Sequence, residues 1–391
     1  MLFDFDTPIS RENTSSVKFD GRKSYFGTAE VKPLWVADMD FAVPDCVTRA
    51  LQERLHHPVF GYTLYPESLY QSVIDWFERR HHWKIEREWI VMAPGVVPSL
   101  FAAVHAFAKE GDGVIVQPPV YFPFFSAVTT NHRKLILNPL QEKNGFYEID
   151  FNHLGECAKQ GAKLLMLCTP HNPVGRVWKE TELQEILRIA RQYDLTILSD
   201  EIHADLIYSQ ATHIPLARLA QPGDKIITTV APNKTFNIPG LGLSALVIPD
   251  AEQRKAMKNA FEMLHVGNTN PLSIVAFEAA YTGGEAWLDA LMKYLESTRN
   301  YVADFLQENI PKIKCSKPEA TYLMWLDCKE LGMTDTQLRD FFVKDCQLGL
   351  NPGIVFGDAG SGFMRMNIGT TKSSIIAALE SLSANIKLRR F

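Results

Sequence analysis

A chain of 391 residues is too long for one small domain and fits two domains, or one large α/β core with a smaller lobe. Its 46% hydrophobic and 22% charged content is that of a folded protein, and a net charge of −5 offers no basic surface for nucleic acid and no acidic tail. No apolar run reaches the roughly eighteen residues of a membrane span.

The N-terminus, MLFDFDTPISRENTS, has neither the basic start nor the apolar core of a secretory leader. The six scattered cysteines make no CxxC pair, so no metal site and no disulfide framework is expected, and a reducing, cytoplasmic setting fits best.

Residues 1–30 are polar and turn-rich and read as an arm lying over another part of the chain. The first apolar stretch, LWVADMDF at 34–41, carries two acids, Asp38 and Asp40. Residues 44–54 open a helix with Asp45 in its first turn, and 56–63 form a loop with Gly61 and Tyr62. A strongly amphipathic helix spans 66–82, with Leu69, Val73, Ile74, Trp76 and Phe77 on its apolar face.

From Trp89 the pattern alternates. Strands read at 89–93, 113–117, 163–168, 195–199, 226–231 and 243–248, with helices at 100–107 and 180–193. Short apolar strands separated by helices imply βαβ units, hence a largely parallel sheet covered on both faces. Helices come next at 251–264, 272–281 and 285–309. Beyond Pro311, strands at 322–326 and 363–367 and helices at 335–345 and 373–388 suggest a small α+β lobe. The division expected is a large domain over 51–284, with 1–50 and 285–391 forming the arm and the small lobe; the helix at 285–309 bridges them.

In open α/β sheets ligands collect at the carboxyl ends of the strands. The residues just past each strand are therefore informative. After 89–93 comes Gly95-Val96-Val97 opening a helix, whose free N–H groups suit a phosphate. After 113–117 comes Tyr121, able to stack on a flat ring. After 163–168, Asn172 sits between prolines. After 195–199 come Asp200, a carboxylate that is costly to bury without a cation, and Glu201, which faces elsewhere because strand neighbours point oppositely. After 226–231 comes Lys234, in a short turn between two core strands. Apolar walls disfavour the charged form of a lysine and make its amine a better nucleophile, as a Schiff-base lysine requires.

That order, with LWVADMDF, VFGYT at 59–63, TPHNPVGRVW at 169–178, LSDEIHADL at 198–206, NKTFNIPGLG at 233–242 and FGDAGSGFMRMNIG at 356–369, resembles the pyridoxal-phosphate enzymes of the aspartate-aminotransferase fold type, and within them the cystathionine β-lyase/C–S lyase branch. The resemblance spans nearly the whole chain. It implies a three-layer sandwich with a mostly parallel central sheet and a smaller α+β lobe, and pyridoxal 5′-phosphate as cofactor.

It also implies roles. Lys234 bonds the cofactor aldehyde and moves the substrate Cα proton, Asp200 pairs with the pyridinium nitrogen, and Tyr121 stacks on the ring, the three forming the catalytic group. Asn172 and His203 serve the ring oxygen; histidine in place of the usual tyrosine at 203 favours the lyase branch. Gly95, Val96 and Val97 hold the phosphate, and Tyr62 reaches that of a neighbouring subunit, so a homodimer with shared active sites is expected. Arg365, with Asn172 and the Ala37 N–H, takes the substrate carboxylate. Ala231 departs from the family, which often has a serine near the phosphate.

Other candidates fall away. His81 and His82 are helix neighbours and cannot face one ligand, and Gly357, Gly360 and Gly362 are reversed relative to a dinucleotide fingerprint. The implied reaction is α,β-elimination of a cysteine S-conjugate, such as cystathionine, to pyruvate, ammonia and a thiol. An aminotransferase using the same residues is the alternative, and a regulatory binding protein that keeps the fold without the chemistry is a third reading.

Overall fold

Seven strands build the central sheet of the computed structural model, which describes residues 3–266 and 269–389. They are β1 (Ile90–Ala93), β2 (Gly113–Val116), β3 (Lys134–Leu137), β4 (Ala162–Cys168), β5 (Thr196–Asp200), β6 (Ile226–Val230) and β7 (Ser244–Val247). Their order across the sheet is β1-β7-β6-β5-β4-β2-β3. Only β7 runs antiparallel to its neighbours; the other adjacent pairs are parallel.

The strands are near-continuous Val, Ile and Leu because both faces are covered. Along β4 the side chains alternate between two separate apolar clusters. Leu164 and Met166 join Val114, Leu198 and Ile227 on one face; Leu165 and Leu167 join Ile115, Ile197 and Ile226 on the other. Two cores on two faces of one sheet make the expected three layers.

The helix after β1 is α1 (Val96–Phe107), four residues longer at its start than the periodicity gives. Pro98 makes that segment read as a turn. A proline in the first helical turn has no intrahelical N–H bond to lose, so the helix tolerates it. The turn carrying Lys234 is likewise helical: α2 (Pro232–Thr235) is a single turn opened by a proline, with Phe236 N–H donating to Pro232 O at 2.8 Å. Strand β3, the helix Pro123–Thr129 and the hairpin of Gln141–Lys143 with Phe146–Glu148 have no strong periodic signature, whereas the helix Phe151–Lys159, absent from the elements expected, buries Leu154, Cys157 and Ala158 on one face. Strand β3 lies at the sheet edge with Lys134 and Leu137 exposed, so it lacks the doubly buried pattern.

The C-terminal part contains β8 (Leu323–Asp327), β9 (Asn351–Pro352) and β10 (Phe363–Asn367), an antiparallel sheet ordered β8-β10-β9. Helix α3 (Glu285–Asn309) runs 25 residues, and its buried Trp287, Leu288 and Leu295 share one apolar cluster with Trp76 and Phe277 on one side and Leu323 and Met324 on the other. The N-terminal segment is tied to the same lobe by a two-residue parallel pair, Lys32–Pro33 with Leu348–Gly349. Among the described residues no helix is long and apolar enough to cross a membrane, and all six cysteines are free thiols.

Candidate active site

The parallel strands end at one edge of the sheet, and the polar residues just beyond them gather there. Strand register sets Asp200 between Cys168 of β4 and Thr229 of β6. Its Oδ1 accepts from Ile202 N–H and from the Thr229 hydroxyl, both at 3.2 Å, while Oδ2 has no hydrogen-bond partner among the described residues. Burial pushes the Asp200 carboxyl up to about 6, against the pull of those donors and of Lys234. Glu201 turns away, as strand alternation requires: it accepts from Ser199 Oγ at 2.8 Å and Leu216 N–H at 3.0 Å and lies 2.8 Å from His213 Nε2.

Lys234 is half-buried, and burial followed by the charge of Arg365 lowers its amine to about 8, with Asp38 and Asp200 acting in the opposite sense. The Lys234 Nζ donates to Ala37 O at 2.6 Å, and the Tyr322 hydroxyl donates to the same oxygen at 2.8 Å. The turn that carries Lys234 is therefore less apolar than its sequence suggests. It is also braced from behind. The Thr235 hydroxyl donates to buried Asp205 Oδ2 at 2.9 Å, and Asp205 Oδ1 accepts from Trp76 Nε1 at 3.1 Å and lies 2.8 Å from His81 Nε2. Burial raises the Asp205 carboxyl, but His81 and Thr235 outweigh it and hold the group below the usual carboxylate range.

Arg365 lies on β10 and is buried. Its Nη1 donates to Asn172 Oδ1 at 3.1 Å, and its Nη2 donates to Trp35 O at 2.9 Å and Asn351 Oδ1 at 2.7 Å. Among the described residues no carboxylate pairs with it, and its Nε is buried without an acceptor. A buried guanidinium held only by neutral oxygens is a site for an external anion. Asn367, two residues on and so on the same strand face, donates to Val36 O and Asp38 O.

His203 is buried with Nδ1 lacking a partner among the described residues, its ring edge-on to Tyr322 at 6.3 Å between centroids. Burial first, then Lys234 and Arg365, lower it to about 3, so the imidazole is neutral. Tyr121 is half-buried and its phenol is raised by burial. Gly95 caps α1, whose Val96 and Val97 supply first-turn N–H groups with no side-chain cap. Ala231, at the start of α2, offers no hydroxyl there. Tyr62 does not join this group: it stands fully exposed on the loop at 56–64.

The structure thus brings together Lys234, Asp200, His203, Asn172, Tyr121, Arg365 and Ala37, and leaves Tyr62 apart. Sequence reasoning misses Tyr322, Asn351, Asn367 and the Thr235–Asp205–His81 brace. The one available signal is Asn367, which shares the i, i+2 face of Arg365.

The donor set suits pyridoxal phosphate: a lysine with a lowered amine, a buried carboxylate with one free oxygen, a neutral histidine with an orphan ring nitrogen, and helix-start N–H groups. Comparison with known proteins agrees. The family model for aminotransferase class I and II matches residues 30–382, and the chain belongs to that family. It is 41% identical over 382 residues to cystathionine beta-lyase PatB of Bacillus subtilis, covering 97% of this chain and 99% of that one. Cystalysin from Treponema denticola, a structure containing pyridoxal 5′-phosphate, superposes with a TM-score of 0.96 at 40% identity over 99% of each chain. A PLP-bound C–S lyase from Staphylococcus hominis gives a TM-score of 0.92 at 35% identity over 98% of each.

Proposed function

We propose that the chain is a pyridoxal-phosphate-dependent carbon–sulfur β-lyase that cleaves cysteine S-conjugates, cystathionine among them, to pyruvate, ammonia and a thiol. The observation that carries the reading is the pairing of a low-pKa amine, Lys234, with a buried, carboxylate-free guanidinium, Arg365, both held to carbonyls of the same short segment, Ala37 and Trp35. When bound, pyridoxal phosphate supplies an aldehyde that condenses with amines and a pyridine ring that accepts electrons.

The residues do the rest. The Arg365 N–H groups not already committed, the second on Nη1 and that on Nε, together with the N–H of Ala37 bind the α-carboxylate and orient the Cα–H bond toward Lys234. The Lys234 amine, neutral in a useful fraction near neutral pH, takes the Cα proton. Asp200 holds a proton on the ring nitrogen through its free Oδ2. Asn172, whose Oδ1 is engaged by Arg365, has its Nδ2 available to the ring oxygen, and His203 has an uncommitted Nδ1. Tyr121 covers the ring face, and the α1 start with Gly95, Val96 and Val97 holds the phosphate. The sulfur leaves from Cβ as a thiolate, and the released unsaturated amine hydrolyses to pyruvate and ammonia.

Loop 56–64 exposes Val59, Phe60, Tyr62 and Leu64, and we take it to be covered by a second copy whose phosphate site Tyr62 completes, making a homodimer. The large domain is 51–284, and the arm with 285–391 is the smaller one; a cytoplasmic setting suits the six free thiols.

Incubation with cystathionine, assayed for free thiol, ammonia and pyruvate, tests the reaction. Stoichiometric release of all three is expected. Amino-group transfer to an added keto acid without thiol release would replace the lyase with an aminotransferase.

A further inference from the structure

Residues 35–41 have no regular secondary structure, yet most of their polar groups are engaged. From the site side, Arg365 takes Trp35 O, Asn367 takes Val36 O and Asp38 O, and Lys234 and Tyr322 share Ala37 O. Asn237 accepts from Met39 N–H at 2.8 Å and donates to Met39 O and Phe41 O at 2.9 Å.

From the opposite side the N-terminal arm grips the same segment. Arg11 forms a two-pronged pair with Asp38 at 2.8 and 2.7 Å, and its Nη1 also donates to Asp40 at 2.8 Å. Lys18, its side chain 0% exposed, donates to Asp40 Oδ1 at 3.0 Å and stands 3.7 Å from Asp38 Oδ1. Trp35 Nε1 returns a bond to Lys18 O at 3.0 Å. Two cations thus neutralise two carboxylates that sit two residues apart in an otherwise apolar stretch. Such a quartet gains little net stability over apolar packing, because desolvation offsets the attraction. It does supply direction: a fork on Asp38 and a point charge on Asp40 admit one placement of the backbone between them.

We infer that Arg11 and Lys18 are positioning residues for the substrate carboxylate: by pinning Asp38 and Asp40 they fix the Ala37 N–H and the Trp35 carbonyl that orients Arg365. Neither cation touches the substrate. The inference rests on the assignment of Arg365 and Ala37 to the α-carboxylate.

The test compares two ligands of the holoenzyme, L-alanine and ethylamine, which share an amine and differ by the carboxylate. Binding is read from the cofactor absorbance. In Arg11→Met the affinity for L-alanine is expected to fall about tenfold while that for ethylamine holds within about twofold. Arg11→Lys, which keeps the charge and loses the fork, is expected to lie between, with a loss of about threefold, and gives the same comparison if Arg11→Met does not fold. Amide exchange at residues 35–41 of the apoprotein should quicken in parallel. Equal weakening of both ligands, or of neither, would overturn the inference. Arg365→Met is the control for the underlying assignment: if it still prefers L-alanine as wild type does, the carboxylate clamp itself is wrong, whatever Arg11 does.

Discussion

Arg365 donates to the side-chain oxygen of Asn172 across 3.1 Å, joining strand β10 of the small lobe to the loop after β4. The residue assigned to the substrate carboxylate thereby engages the oxygen of the Asn172 amide and leaves its Nδ2 for the proposed contact with the cofactor. Asn172→Asp places a carboxylate against Arg365, where it competes with the substrate. KM for cystathionine is expected to rise roughly 10- to 100-fold, with kcat changed less, because a ground-state contact is being blocked. Steady-state kinetics decide it, and an unchanged KM would sink the pairing.

On the proposed roles, Lys234→Ala removes both the amine that would bond the cofactor and the group that would move the Cα proton. Turnover should drop by about a thousandfold or more. Absorbance spectra of the variant reconstituted with pyridoxal phosphate should lack the band of the lysine-bound aldehyde. Full turnover with that band intact would remove Lys234 from the site.

The same amine destabilises the apoprotein. Its folded pKa, about 8, lies below the unfolded value of 10.5, so the fold disfavours the charged form. The penalty is fully present below pH 8 and is relieved as pH rises toward 10.5. Asp200 carries the converse penalty: its folded pKa of about 6 lies above 3.8, so stability is lost as pH climbs between those values. Lys234→Met and Asp200→Asn apoproteins should therefore each be more stable than wild type at pH 7, by about 1–3 kcal/mol. Thermal unfolding from pH 6 to 9 measures this, and the Lys234→Met advantage should shrink toward pH 9.

Asp205 lies behind the catalytic turn and is held by Trp76, His81 and Thr235. Asp205→Ala strands three polar partners in the core and should cost about 3–5 kcal/mol in urea denaturation. Thr235→Val loses one bond, about 1–2 kcal/mol. Because Thr235 adjoins Lys234, kcat should fall with it while KM for cystathionine stays nearly constant. A kcat equal to wild type would show that the brace serves stability alone.

If Tyr62 completes a neighbouring subunit, Tyr62→Ala should weaken retention of pyridoxal phosphate by about tenfold without unfolding the chain, since the side chain is fully exposed. Sedimentation should give a dimer of about 88 kDa, twice the 44.2 kDa chain. A monomer with full cofactor retention would exclude a shared site.

Local sequence is enough for the sheet and for the residues at its carboxyl edge. Strands such as β4 and β6 are buried on both faces, and the residues just past such a strand in a parallel sheet land on one rim. Asn172, Asp200 and Lys234 are therefore legible from chain order alone. Pro98 misleads because a proline opening a helix looks, in one dimension, like a proline ending one. The contacts that tune the site are of another kind. Lys234 and Tyr322 meeting at Ala37 O, Arg365 reaching Trp35 and Asn172, and Arg11 pairing with Asp38 join residues 27 to 330 positions apart. No periodicity encodes such pairings: the two acids in LWVADMDF announce that partners are needed, and only the folded chain, by closing those loops in space, chooses which.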